Sequence, residues 1–208
     1  MRISRRHLGV LGGGVLATPA FAQTSRAQTP TPTDPRLTER STGEANAPVV
    51  VQEFFSLTCG HCANFHNDTW PQVRRQLVET GQVRMVWRDF PLDGIALLAS
   101  AVARAMPADR YEAFLTALFQ TQSRWAFAQG RQAEELARIA ALAGMDREAF
   151  NAVATDQEFH RGILSQRLAA EQQYQIRATP SFTFNGRLHT GGLSFAEFER
   201  QVRSAPRT

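Results

Sequence analysis

Residues 49–55 read VVVQEFF, a run of β-branched and aromatic side chains launched by Pro48. This predicts a strand. Helical patterning follows over 59–80, and Gly81 suits its stop. Pro71 falls inside that helix and is expected to kink it. Residues 83–90, VRMVWRDF, alternate in part and predict a second strand.

From Asp93 to Ile176 the pattern becomes almost wholly helical. Leu97, Leu98, Val102 and Ala105 share one apolar face. Tyr111, Phe114, Leu115, Leu118 and Phe119 mark a second helix. Leu136, Ile139, Ala140 and Ala143 mark a third, with Gly144 as its stop. A short helix near 146–153 precedes a long one near 157–175. Strand character returns at Pro180-Ser181-Phe182-Thr183-Phe184. Asn185-Gly186 then predicts a two-residue hairpin turn, because both residue types tolerate positive φ. Residues 187–190 form the returning strand, and Ser194-Phe195-Ala196-Glu197 is a capping box for a last helix.

The order is strand, helix, strand, helical block, hairpin, helix. A β-α-β half and a β-β-α half are separated by the block, which argues for an α/β domain with an all-α insertion. The chain has 208 residues, enough for one such domain with its insertion. No internal repeat is visible.

The net charge of +4 suggests a nucleic-acid or membrane-surface binder. The N-terminus removes that suggestion. Arg2, Arg5 and Arg6 precede an apolar run over 8–17, and Ala20-Phe21-Ala22 offers the small residues of a cleavage site. Residues 1–22 therefore read as an export signal. The pair Arg5-Arg6 also fits a twin-arginine signal, with an ordinary Sec signal as the alternative. Without this segment, 20 basic residues face 19 acidic ones, a net charge of +1. No charge argument for nucleic acid remains. Residues 23–35, QTSRAQTPTPTDP, read as a flexible tether. Export to the periplasm matters for the cysteines, since an oxidising compartment supplies disulfide chemistry with substrates.

The chain holds two cysteines, Cys59 and Cys62, within FSLTCGHCANFH. Three readings compete. Zinc would use the C-x-x-C spacing with His66, but a structural site needs a fourth ligand, and no H-x3-H companion exists. A structural disulfide across two intervening residues would constrain the unfolded chain little. A reactive dithiol fits the position best. The pair follows a strand and opens a helix, with Thr58 available as its cap. Cys59 then lies where free N–H groups and the helix dipole favour a thiolate, the nucleophilic form. His61, between the cysteines, can add to that stabilisation. Stabilising the thiolate stabilises the reduced form, so the disulfide becomes a stronger oxidant.

Residues 53–62, EFFSLTCGHC, resemble the active-site segment of DsbA-like thiol-disulfide oxidoreductases within the thioredoxin superfamily. Residues 177–186, RATPSFTFNG, resemble that family's cis-proline loop and hairpin. The helical block matches its inserted domain. The resemblance implies a thioredoxin-like domain over 36–92 and 177–205, with the helical domain inserted over 93–176. It implies that Cys59 is the attacking thiol and Cys62 the buried resolving thiol. It also implies that Pro180 is a cis-proline facing them, and that Thr179 pairs its backbone with an extended substrate segment. Glu53 matches the superfamily's buried acid, able to pass a proton to or from Cys62. The competing reading places Glu53 on a solvent face. Arg84 and Arg88 are its candidate partners. His66 is expected to pack or face solvent rather than act, and Trp125 to pack in the core rather than border a groove.

Two residues depart from the family's strong oxidases. Gly60 replaces the usual proline between the cysteines, and Thr179, before Pro180, is often seen in the isomerase branch. The expected function is still disulfide donation to reduced exported proteins by a monomer. Reoxidation would come from a membrane partner of the DsbB type, and no metal, cofactor or nucleic acid would be needed. A reductase or isomerase on the same fold is the first alternative, although residues 23–47 are too short for an isomerase's dimerisation domain. A metal-binding or chaperone module is the second.

Overall fold

The computed structural model describes residues 34–206. The expected signal, and all but the last two residues of the expected tether, lie outside that range. Those two, Asp34 and Pro35, are structured. Asp34 caps a short turn at Pro35–Leu37, and Arg36 bridges Asp34 to Asp156 at 2.6 and 2.7 Å.

Five strands form one mixed sheet among the described residues: β1 (Arg40–Thr42), β2 (Val49–Phe55), β3 (Val83–Asp89), β4 (Ser181–Phe184) and β5 (Arg187–Thr190). Their order is β1-β3-β2-β4-β5. β2 and β3 are parallel, and every other pair is antiparallel. The pattern of 49–55 and 83–90 predicts β2 and β3 closely. It does not predict β1, whose three residues are too few to carry a period. Gly43 follows β1 at φ +98°, and a Cβ there would meet Val83 O at 2.6 Å, so only glycine fits.

Helix α1 spans residues 60–78. Pro71 lacks an N–H and was expected to bend it. The helix widens on either side of it, with i→i+5 bonds from Trp70 N–H to Phe65 O and from Glu79 N–H to Arg74 O. Such wide turns absorb a missing donor without ending the helix.

The helical block follows β3: α2 (Gly94–Ala105), α3 (Tyr111–Gln120), α4 (Gln122–Trp125), α5 (Gln132–Leu142), α6 (Arg147–Thr155) and α7 (Gln157–Tyr174). All five residues assigned to the buried face of α3 are buried. In α2 the buried stripe is instead Ala96, Ala99, Ser100, Val102 and Ala103, while Leu97, Leu98 and Ala105 are half-buried. Small residues take the inner face because α2 is packed among α3, α5, α6 and α7. Arg104 on α2 is buried, paired with Asp89 of β3, and donates to Arg36 O and Thr38 O at 3.1 Å. The Asn185-Gly186 turn has φ of 45° and 86°, and the Ser194 capping box opens α8 (Phe195–Arg203).

The alternation of β2 sorts the core. Val49, Val51 and Phe55 face α1, α3 and α8, in one continuous apolar cluster. Phe54 faces the other way, into a small cluster with Phe90 and Ile176 that α7 covers through Ala170 and Tyr174. Glu53 shares the face of Val51 and Phe55, so it lies in the main core.

Candidate active site

β2 ends at Phe55, and Ser56, Leu57 and Thr58 turn the chain into α1. Cys59 N–H donates to Ser56 O at 3.1 Å and closes this turn. Thr58 was expected to cap the helix, but Cys59 itself occupies the N-cap position, with φ −83° and ψ 119°. The Thr58 hydroxyl donates to Asp93 Oδ2 at 2.6 Å instead. Asp93 caps α2 with its other oxygen, accepting from Ala96 N–H at 2.7 Å. One carboxylate thus ties the cysteine loop to the first turn of the helical block. A second tie comes from α4, where Gln122 Nε2 donates to Leu57 O at 2.8 Å and to Cys59 O at 3.0 Å.

The loop before β4 closes the site from the other side. The Thr179–Pro180 peptide is cis. The Cys59 thiol, half-buried, donates to Thr179 O at 3.3 Å. The Thr179 hydroxyl is buried and has no partner in this arrangement. Ser181 fixes the loop by donating from Oγ to Ala178 O at 2.7 Å.

The two thiols have opposite surroundings. A hydrogen bond from the Cys62 thiol lowers the Cys59 pKa most, and burial opposes it. Thr179 and the N–H groups of Cys62 and His61 add to the lowering, and the net result is about 5. Cys62 is fully buried and is pushed up, first by burial, then by its hydrogen bond to Cys59 and the charge of Glu53. One sulfur is therefore a ready thiolate and the other a held thiol. The His61 side chain is exposed and acts here through its backbone N–H. Gly60 is exposed, and a side chain there would meet nothing within 4 Å.

Glu53 is wholly buried. Its expected partners are elsewhere: Arg84 and Arg88 lie on the opposite face of the sheet edge and share Glu39, at 2.7 and 2.9 Å. Alternation along β3 sends both guanidiniums away from the core face that Glu53 occupies. The partner of Glu53 is His66, whose Nε2 lies 3.0 Å from Oε2 and 3.2 Å from Oε1. The imidazole stacks on Phe119 with centroids 4.1 Å apart, and Trp87 flanks it. Its Nδ1 is buried without a partner. Trp125 is in the core, its Nε1–H donating to Leu118 O at 2.9 Å.

His66 packs, as one of the two expectations for it had it, but its pairing with Glu53 was not foreseen, and neither were Gln122 and Asp93. His66 had a usable signal: it lies seven residues after Cys59, two helical turns along the same face of α1, and so below the pair. Gln122 had none, because its contacts cross more than sixty residues.

Comparison with known proteins agrees with this architecture. A family described as Thioredoxin matches residues 36–204. A Rickettsia felis relative, named as a protein-disulfide oxidoreductase, is 26% identical over 164 residues, covering 78% of this chain and 58% of that protein. The chain spans less than two thirds of the length of the Rickettsia relatives it matches. Among solved structures, alpha-DsbA1 of Wolbachia pipientis superposes with a TM-score of 0.75 at 26% identity, over 86% of this chain and 93% of that one. BdbD of Bacillus subtilis shares the fold, with a TM-score of 0.68 at 19% identity, over 80% of this chain and 91% of that one.

Proposed function

This chain belongs to the thioredoxin family and is DsbA-like in its fold, and on that premise we propose that it is an exported protein thiol-disulfide oxidoreductase that donates the Cys59–Cys62 disulfide to substrate proteins. A substrate thiolate attacks Cys59 Sγ. The Cys59–Cys62 bond breaks, its electron pair passes to Cys62 Sγ, and Cys62 takes up a proton. A second substrate thiolate attacks the substrate sulfur of the mixed disulfide and expels Cys59 as a thiolate. The substrate leaves oxidised and the dithiol remains reduced. A membrane partner of the DsbB type would take the two electrons and restore the disulfide.

The observation that carries this reading is the division of labour between the sulfurs. Cys59 is accessible and held near pKa 5, so it is a good leaving group from the mixed disulfide. Cys62 is buried and held as a thiol, shielded from attack. Thr179 O, beside Cys59, and the cis Thr179–Pro180 loop provide an edge against which an extended substrate backbone can pair. Glu53 lies close enough to Cys62 for its charge to be felt there, which suits proton exchange during resolution.

The test is oxidation of reduced, unfolded ribonuclease. The oxidised protein should form disulfides in it, and Cys59→Ser should abolish the activity. Failure to oxidise ribonuclease, with a couple as reducing as thioredoxin, overturns the reading. Recovery of scrambled ribonuclease at a higher rate than oxidation of the reduced form would favour an isomerase instead.

A further inference from the structure

Helix α7 ends on Gln175, which adopts a left-handed φ of 56°. The chain then drops Ile176 into the small cluster with Phe54 and Phe90 and leaves Arg177 exposed. Thr179 follows two residues later, so Arg177 stands at the entrance to the loop that faces Cys59. The segment after β3 reaches the same place from the other side. Phe90 N–H donates to Phe55 O at 2.7 Å, and Leu92 N–H donates to Ser56 Oγ at 3.4 Å. It therefore runs beside the turn that carries Cys59.

Between these two segments and α7 lies a pocket of about 350 Å³. Phe90 and Ile176 are buried in its wall, and Leu92 offers an exposed apolar rim. Its charges are Arg167, Arg177 and Glu171, a positive excess of one. The Arg167 guanidinium lies over the Phe90 ring, 4.7 Å from the centroid, which restrains it. Its Nε is buried and has no partner. Among the described residues neither Arg167 nor Arg177 closes an ion pair, although Glu171 is one helical turn from Arg167 in the same wall. Other arginines do find acids: Arg138 pairs with Glu135, Arg147 with Glu134 and Arg203 with Glu199. A restrained guanidinium with no counterion, and a second one in the same wall, make a receptor for a carboxylate.

We infer that this pocket is a specificity subsite, in which Arg167 and Arg177 receive an acidic side chain of the substrate protein two or three residues from the cysteine that attacks Cys59. The inference rests on the disulfide-exchange reading and narrows its substrate class to segments with Asp or Glu near the reacting cysteine. The spacing follows from strand geometry. An extended segment advances about 3.3 Å per residue, so same-face side chains are about 7 Å apart. Arg177 is two residues from Thr179, whose carbonyl lies beside the Cys59 sulfur. A carboxylate at that spacing meets the arginines while the substrate sulfur is on Cys59. The methylenes of a glutamate can lie along Leu92. A basic side chain at the same position meets two like charges and is disfavoured. No bond is made or broken in the pocket; the arginines hold and orient the segment.

The test uses the oxidised full chain and synthetic peptides with one central cysteine. Glu, Gln or Arg is placed two residues before it in one set and two residues after it in another. Each rate of dithiol formation is divided by the rate of the same peptide with oxidised glutathione, which removes the effect of the neighbour on the peptide thiol. In one of the two sets the Glu peptide should outpace the Gln peptide by about fivefold, as two partly exposed charge pairs allow. The Arg peptide should be slowest, and 1 M salt should erase most of the difference. Arg167→Gln and Arg177→Gln should each reduce the preference to about twofold, and the double variant should lose it. Arg161→Gln, which removes an exposed charge on the same helix outside the pocket, should keep it whole. Equal normalised rates for Glu, Gln and Arg in both sets, or a preference that persists in the double variant, would overturn the subsite. If the variants do not fold, the peptide ranking and its salt dependence in the unsubstituted protein decide. A chain that reacts with none of the peptides defeats the oxidoreductase reading itself; reaction without an acidic preference defeats only the subsite.

Discussion

Cys59 and Cys62 are separated by less than one helical turn, yet their surroundings drive them in opposite directions. Cys59 takes the N-cap of α1, where unpaired N–H groups converge, and Cys62 lies one turn further in, against the core. Thiolate absorbance of the reduced protein should therefore show one transition with a midpoint near pH 5. The sign for stability follows. The folded pKa of Cys59 lies below its ordinary 9.0, so its contribution to the reduced form is complete above about pH 9 and is lost as pH falls through about 5. Between those limits reduction takes up one proton instead of two. The reduction potential should fall by about 30 mV per pH unit there and more steeply below pH 5, as redox titration can measure. Thr179→Val removes a hydroxyl that has no partner while Cys59 is a thiol and is free to donate to the thiolate. It should raise the Cys59 midpoint by about one pH unit, the effect of losing a hydrogen bond to a charged group. The residue-scale chemistry of the pair was legible from its position after a strand and before a helix. The partner of Glu53 was not. Arginines on the neighbouring strand looked close in sequence terms, but strand alternation faces them outward to Glu39.

The elements that carry the site meet at three ties: Asp93 to Thr58, Gln122 to Leu57 and Cys59, and the cis-proline loop to Cys59. Two of these come from the helical block, so the block positions the catalytic loop as well as enlarging the core. Gln122→Ala leaves two carbonyls of that loop without a donor. It should cost about 1–2 kcal/mol, lowering the thermal midpoint by about 2–4 °C per kcal/mol in calorimetry. Strong periods made β2, β3, α1 and α3 readable. Weak ones hid β1 and α4, which are short, and misjudged the inner face of α2. There, crowding by four helices selects alanine over leucine, a tertiary effect that local hydrophobicity does not report. Pro71 is flanked by two widened turns, a response to its missing donor that periodicity does not report.

At the scale of the whole molecule, one sheet separates two apolar clusters, and the larger continues without a break from α1 and α8 into the helical block. The buried Arg104–Asp89 pair pins this arrangement. It joins α2 to the end of β3 and holds the segment leading into β1 through the carbonyls of Arg36 and Thr38. Arg104→Met leaves Asp89 charged and buried without its partner. Urea unfolding should register a loss of about 3–5 kcal/mol, with activity per folded molecule preserved because the pair lies outside the cysteine loop. The order of strands and helices was enough to expect an inserted helical domain. Its ion-pair anchor was not, since it links three segments that no local pattern connects.

In the function proposed above, Cys59 and Cys62 form an oxidising dithiol–disulfide couple tuned by stabilising the Cys59 thiolate. Equilibration of the protein with glutathione redox buffers, followed by counting free thiols, tests it most directly. The expected result is a two-electron couple more oxidising than thioredoxin, whose potential is about −270 mV. A potential at or below that value, or two thiols that fail to titrate as a pair, would contradict it.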